Sequence, residues 1–156
     1  MKIRIICIGK TDEDYVLEGI RKYLKRLKHY ISLDYIELPD LKNKGKIEVD
    51  RLKEEEGRIL LSKISDKDHL VLLDEIGKEF TSLQFSAFLQ KKMIAANDVV
   101  FVIGGAFGFD QSVYDRQNEK IALSKMTFSH QMVRLFFVEQ LYRGFSILKG
   151  EKYHHQ

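Results

Sequence analysis

The chain has 156 residues, 44% of them hydrophobic, 11% aromatic and 31% charged, with ten glycines and one proline. That is the size and make-up of a single globular domain, residues 1–156, and it excludes collagen-like, disulfide-scaffold and disordered classes. The net charge of +3 is unevenly spread: residues 120–156 hold six Lys and Arg against two acidic residues, so an anionic partner is expected at the C-terminal quarter.

Residues 3–8 form a β-branched run ended by Gly9, which suits a strand covered on both faces. Cys7 lies inside that run. As the only cysteine it has no disulfide partner, and it reads as a small buried hydrophobe. No apolar signal region precedes the run, and no apolar stretch approaches the ~18 residues of a membrane span. A reducing, cytoplasmic setting without membrane contact is therefore expected.

Asp12 or Asp14 is placed to cap a helix carrying Leu17, Ile20, Leu24 and Leu27 at spacings of three and four. Residues 33–38 alternate as a second strand stopped by Pro39. A lysine-rich loop with Lys42, Lys44 and Lys46 leads into a charged helix over residues 47–64. Residues 69–74 read as a buried strand, with Asp74 and Glu75 as solvated turn residues before Gly77. Thr81 or Ser82 caps a helix whose Phe85, Phe88, Leu89, Met93 and Ala96 form one stripe. Val99–Ile103 is a strand feeding the glycine loop Gly104-Gly105-Ala106-Phe107-Gly108. A short helix near residues 112–118, a short strand at 121–123 and a long helix over 131–149 complete the chain.

Strands alternating with helices give an α/β fold, a mostly parallel sheet flanked by helices. The last helix carries two apolar stripes, Val133, Phe137, Leu141 and Phe145, and Leu135, Val138 and Tyr142. They are interrupted only by Gln131, Arg134, Glu139, Gln140, Arg143 and Ser146. A helix apolar on two sides packs on two sides, which predicts a homodimer.

Three strand-end loops are able to form one ligand site. The glycine loop lets a ligand approach the backbone. Its G-G-x-x-G spacing and late position differ from the dinucleotide fingerprint, which disfavours a nucleotide-dependent oxidoreductase. Asp74 and Glu75 follow another strand, without His or Cys at metal-ligand spacing, so no metal site is expected. Residues 123–130 form the third loop, where Ser129 or Thr127 suits a helix cap. The tail, Tyr153-His154-His155, sets an aromatic ring among basic groups, a combination suited to stacking on a base and meeting phosphates.

These stretches resemble the RlmH-type members of the SPOUT methyltransferases nearly end to end. The resemblance rests on Cys7-Ile8-Gly9-Lys10, Glu54-x-Glu56-Gly57, Leu73-Asp74-x-x-Gly77-Lys78 and Phe101-Val102-Ile103-Gly104-Gly105 with Gly108. It continues through Leu123-Ser124-x-Met126-Thr127-Phe128, His130-Gln131-x-Val133-Arg134, Glu139-Gln140-x-Tyr142-Arg143 and Tyr153-His154. It implies a C-terminal trefoil knot, an exception to the usual unthreaded chain, an obligate homodimer, and S-adenosylmethionine held in the knot. Leu73, Gly104, Leu123, Ser124, Lys125, Met126, Thr127 and Phe128 would contact that cofactor. The implied reaction is methylation of N3 of a pseudouridine in 23S rRNA on the assembled ribosome. Two positions depart from the family pattern: Ser129 replaces its usual proline, and His155 its usual terminal arginine or lysine.

Within that resemblance, Arg134 and His154 are the candidate catalytic groups, and Tyr153, His154 and His155 the candidate substrate contacts. Lys42, Lys44, Lys46, Lys149 and Lys152 are candidates for RNA by charge alone. The competing function is a non-catalytic RNA- or ribosome-binding protein of the same fold, which cofactor binding would distinguish.

Overall fold

The computed structural model describes residues 1–155. Five strands, β1 (Lys2–Ile8), β2 (Ser32–Leu38), β3 (His69–Glu79), β4 (Val99–Ile103) and β5 (Glu119–Ala122), pair in parallel in the order β2-β1-β4-β3-β5. Parallel neighbours need crossovers, and helices α1 (Asp14–Leu27), α2 (Val49–Leu61), α3 (Ser82–Ala95) and α4 (Gln111–Arg116) lie in them. Helix α5 (Met132–Leu148) closes the fold.

Strand periodicity divides the core into two layers. Ile3, Ile5, Cys7, Val99, Phe101 and Ile103 face one cluster, shared with α1, α3 and α5. Ile6, Ile8, Val100 and Val102 face the other, where Leu60 of α2 and Val113 of α4 pack. Because β1, β3 and β4 are covered on both faces, their residues form near-continuous apolar runs. Burial raises the Cys7 thiol to about 11, as a packed hydrophobe rather than a nucleophile requires.

Several local expectations need correction. Glu13, not Asp12 or Asp14, occupies the N-cap of α1 and gives no side-chain cap; Asp14 sits inside the first turn, where its charge meets the positive helix end. Thr81 does cap α3, in a reciprocal capping box with Gln84. The apolar stripe of α3 stops short: Met93 is exposed and Ala96 is a left-handed C-cap. Arg134 and Ser146, read as polar interruptions of α5, are both fully buried. Both apolar stripes of α5 pack within this chain, against α1 and α3: Val138 is fully buried and Leu135 and Tyr142 join the core, so the second stripe is not the free face from which a homodimer was expected. Phe136 of α5 is exposed.

The largest difference lies in β3. No turn closes at Gly77; the strand runs on to Glu79, and Leu73 and Lys78 both register on Ile121 of β5. The intervening residues 74–77 bulge out of the ladder, as extra residues must when both ends keep their pairing. Backbone of β5 passes directly over Gly77. A Cβ there would lie 2.5 Å from the Ile121 carbonyl carbon and 2.6 Å from its nitrogen. Glycine at 77 is required by this close passage.

Gly77→Ala is expected to cost about 2 kcal/mol or more in urea denaturation, as overpacking against a fixed backbone does. Gly45→Ala is its control, since nothing lies within 4 Å of that Cβ position, and it should change stability by less than about 0.5 kcal/mol. Equal midpoints for the two variants would show that β5 yields at Gly77.

Candidate active site

A cleft of about 580 Å³ opens at the carboxyl ends of β3, β4 and β5, the usual ligand position in an open parallel sheet. Its floor is Leu73, Ile103 and Ile121, the last core-facing residues of those strands. The glycine loop forms one wall, and residues 123–130 with Val133 of α5 form the other. At Gly104 a Cβ would stand 3.1 Å from the Phe109 ring, so the backbone is bare where it meets the cleft.

Tyr114 of α4 donates from its hydroxyl to Asp74 at 2.5 Å. Burial, reinforced by that carboxylate, holds the phenol far above its ordinary range, so it remains a donor. Asp74 also accepts from the Ile76 N–H at 3.0 Å. It is therefore a half-buried anchor of the bulge and not the solvated turn residue expected. Glu75 accepts from the Thr127 hydroxyl at 3.1 Å, joining the first loop to the third. Ser124 Oγ accepts from the Met126 N–H at 2.9 Å and tightens that third loop. Among the described residues the cleft lining carries two carboxylates and no Lys or Arg. Such a lining suits a cationic or neutral ligand with a large apolar part.

Arg134 is 0% exposed and does not reach the cleft. Its guanidinium donates to the carbonyls of Ile8, Gly9 and His130 and to the Thr11 hydroxyl, at 2.9 to 3.1 Å. Glu37 supplies a counter-charge at 3.7 Å. One buried side chain thus fastens the end of β1 to the start of α5. Gln131 adds a second tie, accepting from the Asp12 N–H and donating to the Lys10 carbonyl. Gln131, not Ser129 or Thr127, occupies the N-cap of α5 and gives no side-chain cap, while Ser129 Oγ still accepts from the Met132 N–H at 3.0 Å. Between these ties His130 borders the cleft. Burial, aided by the nearby Arg134 charge, lowers its pKa and favours the neutral ring.

The tail docks on its own α1 and α5, away from its own cleft. Tyr153 donates to Glu139 at 2.9 Å, meets the Tyr23 hydroxyl at 3.2 Å and packs edge-on against Tyr142. Arg143 stacks over the Tyr153 ring, pairs with Glu139 at 2.6 Å and faces His154 Nδ1 at 3.4 Å. His155 is exposed.

Of the residues singled out from sequence, Leu73, Gly104, Leu123, Ser124, Met126, Thr127 and Phe128 border one cleft. Lys125 is exposed and its side chain lies outside that lining. Arg134, Tyr153, His154 and His155 are also outside it. Lys42 and Lys46 are exposed, and Lys44 pairs with Asp40 at 2.7 Å. Phe109 and Tyr114 escaped the sequence reading as cleft residues, whereas His130 closes the third loop and borders the cleft with it. Tyr114 carries no local signal, because its partner Asp74 is 40 positions away.

The chain matches the family described as "Predicted SPOUT methyltransferase" over residues 1–154. It is 54% identical to the ribosomal RNA large subunit methyltransferase H of Cytophaga hutchinsonii, with 99% of this chain and 100% of that protein aligned. The proteins of the same name from Parabacteroides distasonis and Flavobacterium johnsoniae are 52% and 53% identical, each aligned over 100% of both chains.

Arg134→Met should remove about 3 kcal/mol of stability in urea denaturation, since it strands buried carbonyls and Glu37. In the unaltered protein the His130 ring should titrate by NMR below the ordinary value of about 6.5. A titration at or above that value would contradict the desolvated ring, and an unchanged urea midpoint would contradict the Arg134 tie.

Proposed function

We propose that this chain, which belongs to the SPOUT methyltransferase family, transfers a methyl group from S-adenosylmethionine to N3 of a pseudouridine in 23S rRNA of the assembled ribosome. The reading rests on end-to-end similarity to proteins named ribosomal RNA large subunit methyltransferase H. The observation that carries it to particular residues is the apolar, acid-bearing cleft, which suits a cofactor with an uncharged purine and a cationic sulfonium. When bound, S-adenosylmethionine supplies a methyl group already activated for transfer.

The chain's own residues then have to orient the partners and exclude water. Leu73, Ile103 and Leu123 give the apolar floor and wall, and backbone at Gly104 and residues 123–128 supplies the polar groups that fix register. Asp74 and Glu75 would supply the negative charge that suits the cofactor's positive centre. Arg134 acts as a positioning residue, holding the His130 carbonyl and the helix start in place from behind.

The site is completed by a second copy. Exposed Phe128 and Phe136, their rings 5.0 Å apart, join the cleft wall to α5, and exposed Tyr15 of α1 reaches Met132 of the same helix at 4.0 Å, extending the apolar strip. Burying that strip against its twin is the interface a homodimer needs, and it would carry one copy's tail to the other's cleft. There Tyr153, His154 and His155 meet the substrate nucleotide. Because His154 Nδ1 faces the Arg143 guanidinium, which only donates, the ring proton belongs on Nε2. His154 then arrives as a hydrogen-bond donor to a carbonyl flanking N3, stabilising the negative charge left there when the N3 proton passes to a solvent water. A trefoil knot in the C-terminal half belongs to the same reading, with the chain passing from the edge strand β5 to α5 between α1 and α3.

Labelled S-adenosylmethionine and intact ribosomes should yield one methylated pseudouridine in 23S rRNA. Gly104→Val, which pushes Phe109 into the cleft, should weaken cofactor binding by calorimetry more than tenfold. A protein that binds ribosomes but takes up no S-adenosylmethionine would be the non-catalytic alternative, and label elsewhere in the ribosome would overturn the assigned nucleotide.

A further inference from the structure

A second groove, of about 380 Å³, runs along α3 beside the outer strand β5. Its lining combines Lys78, Lys91 and Lys92 with the rings of Phe80 and Phe88 and the amide of Gln84. Positions 84 to 91 span about 10 Å of helix at 1.5 Å per residue. One end, at Lys78 and Phe80, continues the same β3 arm whose residues 74–76 border the cleft.

The charges in this groove are not equivalent. Lys92 pairs with Glu119, which also binds His69 at 2.6 Å, so its charge is consumed inside the fold. Those two partners, overcoming the effect of burial, keep the Glu119 carboxyl below its ordinary pKa and so ionised. Lys78 and Lys91 are exposed and have no ion pair among the described residues. Lys78 Nζ lies 5.0 Å above the Phe80 ring, and Lys92 Nζ 5.0 Å above that of Phe88. Two cations without acidic partners beside a half-buried aromatic ring match a polyanion that also presents flat bases, Lys78 leaving the Phe80 face for a phosphate as a base takes its place. An apolar peptide strand would leave both lysines without partners.

We propose that this groove holds a segment of single-stranded rRNA next to the target nucleotide, with phosphates on Lys78 and Lys91 and a base on Phe80. The inference rests on the rRNA reading above and adds to it a second contact surface, outside the cleft. It makes the β3 arm a shared support: residues 74–76 border the methyl-transfer cleft, and Lys78 and Phe80 hold the strand that leads into it.

The test is co-sedimentation of the full chain with intact ribosomes across a salt series, for Lys78→Ala/Lys91→Ala and for the control Lys63→Ala/Lys67→Ala. The control removes the same charge from the turn between α2 and β3, whose residues do not line the groove. The groove variant should bind about tenfold more weakly, with a salt slope shallower by about 1.4, the value for two lost single-strand phosphate contacts. The control should match the wild type. Ultraviolet cross-linking of the wild-type complex should join the peptide containing Phe80 to an rRNA nucleotide. Equal affinity and slope for both variants would overturn the proposal, as would a cross-link from that peptide to a ribosomal protein. Wild-type binding without methyl transfer would instead count against the methylation reading and leave the groove standing.

Discussion

The buried guanidinium of Arg134 is the interaction on which the cleft depends. A charge with no solvent exposure survives only if its donors are used and a counter-charge is near, and here three carbonyls, a hydroxyl and Glu37 meet that need. The carbonyls come from the last turn before α5 and from the end of β1, two places far apart in the chain. Locking them together fixes one end of the 123–131 segment, while β5 fixes the other. A loop held at both ends offers its backbone groups in one arrangement, which ligand recognition through main-chain atoms requires.

The bulge in β3 supplies the matching constraint from the other side. Its four residues leave the ladder and return to the same partner strand. Their exposed edge is stabilised by Tyr114 and by the Thr127–Glu75 contact. The first and third loops are therefore braced against each other before any ligand arrives. The glycine loop between them needs no comparable brace, because β4 beneath it is buried throughout.

Much of this was legible in the sequence, for a physical reason. β-branched runs and three-four spacing report burial within a single element, so the strands, helices and three converging loops could be read locally. What could not be read depends on partners distant in the chain. Asp74-Glu75-Ile76-Gly77 has turn composition, and only the pairing of Leu73 and Lys78 on either side of it with β5 carries the strand through. Arg134 looks like a polar interruption of an apolar helix, because the carbonyls that absorb its charge lie 125 and 126 positions earlier. Tyr153 looks like a free tail residue, yet Glu139 and Tyr23 hold its hydroxyl.

The same distinction changes the meaning of the charge distribution. Residues 120–156 hold the positive surplus, but Arg134 is buried among carbonyls and Arg143 is paired with Glu139. Neither adds to the field a phosphate would meet, so among the described residues the four lysines of that segment are its cations without an ion pair. Lys78 and Lys91 belong to the nearly neutral remainder of the chain, yet both stand unpaired beside an aromatic groove. Segment totals count charges, whereas a polyanion responds to those that neighbours leave uncompensated. The acid-bearing cleft and the lysine groove thus place opposite fields on adjoining parts of one β3 arm, which favours a cationic cofactor at one and an anionic strand at the other.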